Sequence, residues 1–326
     1  MHEGNVASGL GRTRSRNGNV IRNACLAAVM KAESERTGSH LQRRQHGAFR
    51  VIWWSSNLLL VTAFVAMLYS CVREYSVRRY LDGFSDAIVP DGQPAEQKVQ
   101  AILNWMSAEP SRTIAANPGA LATRDPEITL TYRQLLNVCG TATNAFLNLA
   151  RSSDLRVRRL LLLSPEHTTK HVVAEVLIGG QWIIVDPTYR VIMKDSRGRY
   201  LTRGDLRNPA MFSEAVSAIP NYPREYNYES FAHVRLARLP LDGLHLRGLL
   251  GSLYPGWDEA VDWSLLLERE SFFYLVLSAA AAMFFLLLRA GLAWYADHRL
   301  RIPRFRLREH TVRAGAAFFS APEVKQ

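Results

Sequence analysis

The sequence predicts an α+β domain carried between two transmembrane helices. Three observations lead there: a Gly-Gly hairpin joining two β-branched runs, a cysteine ahead of a helical run, and two long uncharged stretches outside them.

The elements follow in chain order. Residues 1–50 hold nine Lys/Arg against three Asp/Glu and read as a basic, disordered tail. Residues 51–72 are 22 residues without a charge, bounded by Arg50 and Arg73. About 20 apolar residues span a bilayer as a helix, so this is the first transmembrane span. The 50 residues ahead of it are too many for an ordinary signal peptide. Leu68-Tyr69-Ser70-Cys71 is a poor lipoprotein box because of its tyrosine, so a plain anchor is the expectation. Arg73 to Ser85 reads as a helix leaving the membrane, and Glu96 to Ala108 as a second, with Val99, Ile102, Leu103 and Met106 on one face. The stretch 109–128, with Pro and Gly, reads as loop. Thr141 to Arg151 has Ala142, Ala145, Phe146 and Leu149 at helical spacing, which puts Cys139 near a helix N-terminus.

Next come Val172 to Ile178 and Gln181 to Val185, joined by Gly179-Gly180. A two-residue turn with positive φ at both glycines makes Ile178 face Gln181 and Leu177 face Trp182. One sheet face then holds His171, Val173, Glu175 and Leu177 with Trp182, Ile184, Asp186 and Thr188. Val191 to Met193 and Tyr200 to Thr202 flank Ser196-Arg197-Gly198-Arg199 as a second hairpin, ahead of a helix start at Asp205-Leu206. Residues 219–256, rich in Tyr, Arg and Pro, suit a lid, a substrate groove or a membrane-proximal support. Residues 271–296 form the second span, interrupted by Arg289 and ending on Trp294 and Tyr295. Residues 297–326 are a second basic tail.

The formal net charge of +11 is concentrated in the two tails, while acidic and basic residues balance between them. By the positive-inside tendency both termini face the cytoplasm, and residues 73–270 are exported. The basic tails suit anionic headgroups of the lipid bilayer; without a recognisable module, nucleic acid is not an expected partner. Of three cysteines, only Cys139 falls in the exported part, so no disulfide framework forms there.

The chemistry is carried by Cys139, His171 and Asp186, a thiol, an imidazole and a carboxylate in that order. In the hairpin register His171 and Asp186 are diagonal neighbours, about 7 to 8 Å apart in backbone and within reach through their side chains. The helix dipole and nearby N–H groups favour a Cys139 thiolate. Gly140 permits close backbone approach, and the Cys139 N–H can face a developing oxyanion. Gln134 and Tyr132 are the nearest polar candidates for a second donor. Trp182 is read first as packing against Leu177 and second as a substrate wall. Glu175 on the same face suits a salt bridge, and His167, in the polar stretch SPEHTTK, is a loop histidine. A buried cysteine alone is more often inert, but order, spacing and the shared face together favour a site.

These residues resemble a transglutaminase-like domain, a branch of the papain-like cysteine enzymes. The resemblance runs from about Tyr132 to Tyr189 and includes NVCGTATNAFLNLA, DLRVRRLLLL, the strand opening on His171, and QWIIVDPTY. The family often has Gly two places before the cysteine and an aromatic after it; Asn137 and Gly140 stand there instead. The resemblance implies a helix bearing Cys139 packed on an antiparallel sheet, and a Cys139–His171–Asp186 triad performing acyl transfer on peptide-like amides without a metal or organic cofactor. It also implies a bacterial, inner-membrane protein with its domain periplasmic or extracellular and a protein or peptide as substrate. A catalytically silent binding module in an envelope or polysaccharide-export system is the alternative.

Overall fold

No proline precedes Pro90, and the chain runs up to it as one helix, α1 (Arg14–Ile88). The structure, a computed structural model, describes residues 14–108, 113–117, 119, 121–166, 168–234, 251–260 and 262–300. Residues 14–50, part of the basic tail, belong to this helix. High charge alone does not break a helix, and the segment contains no residue that removes a backbone donor. For the same reason the span and the helix leaving it form one element rather than two. Among the described residues, two helical segments are long and apolar enough to cross a membrane, Gly47–Ile88 and Glu270–Leu300.

The chain divides into two units, residues 1–62 with 283–326 and residues 63–282. In the first, the Arg289 guanidinium lies 5.6 Å from the centroid of the Trp53 ring, a cation–π contact.

The second unit contains the α+β domain. Helix α2 (Ala95–Ser107) buries Val99, Ile102, Leu103 and Met106, the face its spacing predicts. At the end of the expected loop 109–128, α3 (Pro126–Thr131) is capped by Asp125, whose carboxylate accepts from the Glu127 N–H. A short 3₁₀ turn (Arg133–Asn137) leads into α4 (Cys139–Ser152). Strands β1 (Val157–Leu163), β2 (Thr169–Ile178), β3 (Gln181–Asp186), β4 (Val191–Ile192) and β5 (Phe231–Ala232) form one sheet in the order β4-β3-β2-β1-β5, with every pairing antiparallel. Helices α5 (Arg203–Leu206) and α6 (Pro209–Ser217) follow the second hairpin. Thr202 opens α5 through a capping box with Asp205, a little earlier than the helix start expected at Asp205.

The hairpin register is the one the Gly-Gly turn dictates. Ile178 pairs with Gln181, Leu177 with Trp182 and Ala174 with Val185, and Gly179 and Gly180 take φ of 57° and 82°. The two faces of the sheet have different partners. Helix α4 packs Phe146, Leu149 and Ala150 onto the face of Ala174, Val176 and Val185. On the opposite face, Leu160, Leu162, Val173 and Ile184 meet Phe212 and Val216 of α6 together with Tyr222 and Tyr228.

The chain then passes through α7 (Trp257–Ala260) and α8 (Trp263–Glu268) into α9 (Glu270–Tyr295). At the start of α9, Ser271 donates to Glu74 Oε2 at 2.7 Å, Arg269 Nε lies 3.3 Å from the same oxygen, and Arg78 donates to Oε1 at 2.7 Å. Glu74 and Arg269 are both buried, so this knot joins α1 and the start of α9 through paired charges rather than isolated ones.

Candidate active site

Two segments distant in sequence converge at one end of the sheet. The first is the start of α4. Val138 is the N-cap and offers no side-chain cap; the first helical bond runs from the Ala142 N–H to the Val138 carbonyl at 2.8 Å. The N–H groups of Cys139, Gly140 and Thr141 therefore have no partner within the helix. Cys139 is half-buried and packs against Leu161, Leu163, Val172 and Ala232.

The second segment is the hairpin. His171 Nε2 and Asp186 Oδ2 are 2.7 Å apart, both residues almost fully buried. The diagonal relation expected from the register is thus realised as a hydrogen bond. The remaining valences of the Asp186 carboxylate are also filled: Oδ1 accepts from the Thr188 N–H at 2.9 Å and the Tyr189 N–H at 3.3 Å, and Oδ2 accepts from the Tyr222 hydroxyl at 3.1 Å. Burial pushes the Tyr222 phenol far above its usual range, so it remains a donor.

The face argument alone does not bring Cys139 to His171, because α4 covers the face opposite to the one His171 occupies. The thiol and the imidazole influence each other at the sheet's rim. There the β1–β2 ladder slips: Leu162 pairs with His171 but Leu163 with Thr169, which leaves Lys170 as an extra residue beside His171. Bulges of this kind re-aim side chains at sheet edges. Thr143 ties α4 to the same place by donating to the Val172 carbonyl at 2.9 Å.

Interaction with His171 is the main influence on the Cys139 thiol and lowers its pKa, opposed by burial and helped by the backbone N–H groups of Gly140 and Val172. Burial is the largest influence on His171 and pushes it down, but Asp186 and Cys139 together outweigh it and raise the imidazole to about 9. Both directions favour a thiolate beside an imidazolium. Among the described residues, the buried His171 Nδ1 makes no formed hydrogen bond. Such contacts are often long or misaligned in an unliganded site and tighten when substrate binds.

A wall of tyrosines completes the site. The Tyr226 ring stacks on His171 at 4.2 Å between centroids and 3° between planes. Tyr189 and Tyr222 meet the imidazole edge-on at 6.1 and 6.4 Å. The Tyr-rich composition of 219–256 is the only sequence signal for Tyr222 and Tyr226, and of the readings offered for that stretch this part lies at the site; residues 235–250 lie outside the described residues. Arg190 links the two segments. Its Nη2 donates to the Leu136 carbonyl and to Asn137 Oδ1, each at 2.9 Å, and its Nη1 donates to the Thr188 carbonyl.

The remaining candidates have other occupations. Gln134 is turned to the loop, donating to the Ala115 carbonyl at 3.2 Å and accepting from the Ala115 N–H at 3.3 Å, so its amide is engaged there. Tyr132 caps the 3₁₀ turn before Cys139. Trp182 lies under the Arg158 guanidinium at 4.2 Å and pairs with Leu177. Leu177 is six residues along β2 from His171, a separation of about 20 Å, so Trp182 lies away from His171 and Asp186. Glu175 meets Arg158 and His233, with His233 Nε2 3.0 Å from its carboxylate, which is the salt-bridge role considered for it. His167 lies outside the described residues.

Residues 82–187 match the Transglutaminase-like superfamily. This region is a transglutaminase-like domain. The match contains Cys139, His171 and Asp186 and stops short of the tyrosines at 222 and 226. No curated protein and no solved structure matches the chain. The transglutaminase-like domain is followed and preceded in the chain by long apolar helices, an arrangement consistent with a two-pass membrane anchor.

Proposed function

We propose that the transglutaminase-like domain is a cysteine enzyme performing acyl transfer on peptide-like amides, with Cys139 as nucleophile, His171 as acid and base, and Asp186 as the group that orients the imidazole. The observation that carries the reading is the 2.7 Å bond from His171 to a fully buried Asp186, with the Cys139 thiol beside the ring at the head of α4.

The steps follow from those placements. The Cys139 thiolate adds to the amide carbonyl carbon, and the carbonyl π electrons move to oxygen. The helix-start N–H of Cys139 faces the developing oxyanion. Collapse breaks the C–N bond as the His171 imidazolium gives its proton to the departing amine, leaving a thioester on Cys139 and a neutral imidazole. Water or a second amine then attacks the thioester while His171 takes its proton. Hydrolysis or transamidation results, and the thiolate–imidazolium pair is restored. Asp186, saturated by four donors, holds the ring tautomer throughout.

In this reading the two apolar helices hold the enzyme in a bacterial inner membrane, both basic tails are cytoplasmic, and the domain works on an envelope protein or peptide outside. The lack of a formed bond at His171 Nδ1 favours a second reading, a silent module that binds partners without turnover. Thiol alkylation across pH separates them. Wild type is compared with His171→Ala and Asp186→Asn in detergent. The enzyme reading expects Cys139 to react readily below pH 7 and to lose that reactivity in both variants. Reaction near an ordinary thiol pKa of about 8.5 in all three proteins refutes it.

A further inference from the structure

The segment 221–228 (NYPREYNY) forms a strap over the sheet face that carries His171. Its two ends are anchored. Tyr222 is buried against Phe212 and Tyr189 and bonded to Asp186, and Tyr228 is fully buried against Phe212. The chain turns just ahead of the first anchor, where Asn221 adopts φ 55°, a left-handed conformation that asparagine tolerates, and between the anchors the Tyr226 N–H donates to the Pro223 carbonyl at 3.2 Å. Tyr226 is thereby held face-on to His171 at 4.2 Å, while Tyr222 meets its ring nearly perpendicularly at 5.9 Å.

A phenol stacked in parallel presents the negative face of its π system to the imidazole. That face attracts a charged imidazolium more strongly than a neutral ring, and it displaces water from one side of it. We propose that Tyr226 is a positioning residue of the site, holding His171 in the charged form and orientation that keep Cys139 a thiolate.

The inference rests on the enzyme reading above and goes beyond it, since Tyr226 lies outside the region that matches the family. The titratable groups facing His171 are Asp186 from β3, Cys139 from α4, Tyr189 after β3, and Tyr222 and Tyr226 from the strap; Glu225 acts on Tyr226. Burial, Cys139, Glu225 and Asp186 all push the Tyr226 phenol up, so it stays neutral across the range in which the thiol and imidazole titrate.

The test is iodoacetamide alkylation of the full chain in detergent from pH 5 to 10, with Cys25 and Cys71 replaced by serine so that Cys139 is the only thiol. Tyr226→Phe keeps the ring and should keep the wild-type midpoint. Tyr226→Leu and Tyr226→Met remove it; each should slow alkylation at pH 6.5 about tenfold and recover by pH 9, the size expected of a desolvated cation–π contact. Circular dichroism checks that each variant folds, and having two ring-less variants keeps the comparison available if one does not. A wild-type midpoint well below 8.5 that persists in the ring-less variants overturns this inference alone. A shift in Tyr226→Phe equal to theirs also overturns it, since the hydroxyl would then be responsible. A wild-type midpoint at about 8.5 overturns both it and the enzyme reading.

Discussion

Tyr222→Phe removes one oxygen and leaves the ring. In the native site that oxygen donates to Asp186 Oδ2 at 3.1 Å, the same carboxylate oxygen that lies 2.7 Å from His171 Nε2, and the Asp186 side chain is completely buried. Water cannot replace the lost donor at so dry a site. A hydrogen bond to a charged group contributes about 1.5 to 3 kcal/mol, and that is the expected loss of folding free energy. The phenylalanine ring retains the contacts with Tyr189 at 4.6 Å and Phe212 at 6.3 Å, so no cavity adds to it. For a unit of about 200 residues each kcal/mol lowers Tm by about 2 to 4 °C, which places the fall at roughly 3 to 12 °C. Near-UV circular dichroism during heating in detergent measures it. Tyr226→Phe is the control: its hydroxyl makes no hydrogen bond among the described residues, and its Tm should move by less than about 2 °C. Three donors remain on Asp186 in Tyr222→Phe, so Cys139 alkylation should slow less than in Asp186→Asn. Equal melting of Tyr222→Phe and Tyr226→Phe would refute the argument that the carboxylate depends on this phenol.

Two other predictions concern the same region. His171, raised to about 9 from an ordinary 6.5, contributes stability that is complete below about 6.5 and is lost as pH rises through about 9; Cys139, lowered, contributes stability that is present above its ordinary value and lost as pH falls through its folded one. The two slopes oppose each other in wild type, whereas Cys139→Ala leaves only the His171 slope, so urea unfolding of that variant should show stability falling above pH 6.5 by an amount bounded at about 3 kcal/mol, and a rise there would contradict it. Arg190→Lys loses the fork that joins Leu136 and Asn137 to Thr188 and should cost about 1 to 3 kcal/mol in urea unfolding while slowing Cys139 alkylation; an unchanged alkylation rate would show that the 3₁₀ turn holds Cys139 without it.

Much of the site was legible because short-range rules govern it. Two glycines at positive φ set the hairpin register, and the register placed His171 and Asp186 on one face. Helical spacing found the buried side of α2 and the helix that begins at Cys139. Other placements depend on contacts that local rules do not reach. Residues 14–50 of the basic tail, a run without proline, continue into α1. Gln134 had the right polarity and position in the chain for an oxyanion donor, yet its amide spans the backbone of Ala115. Trp182 shares the face of His171 but sits at the hairpin end, under Arg158.

The sequence by itself determined the order thiol, imidazole, carboxylate, the register that pairs the last two, and the apolar stretches on either side, because each depends on neighbours a few residues apart. Only the tertiary structure decided that α4 covers the opposite sheet face, and that tyrosines far along the chain pack against the imidazole. Those contacts are made by packing between segments that share no periodicity, and the loop that carries Tyr222 and Tyr226 has no hydrophobic repeat to announce where it will lie.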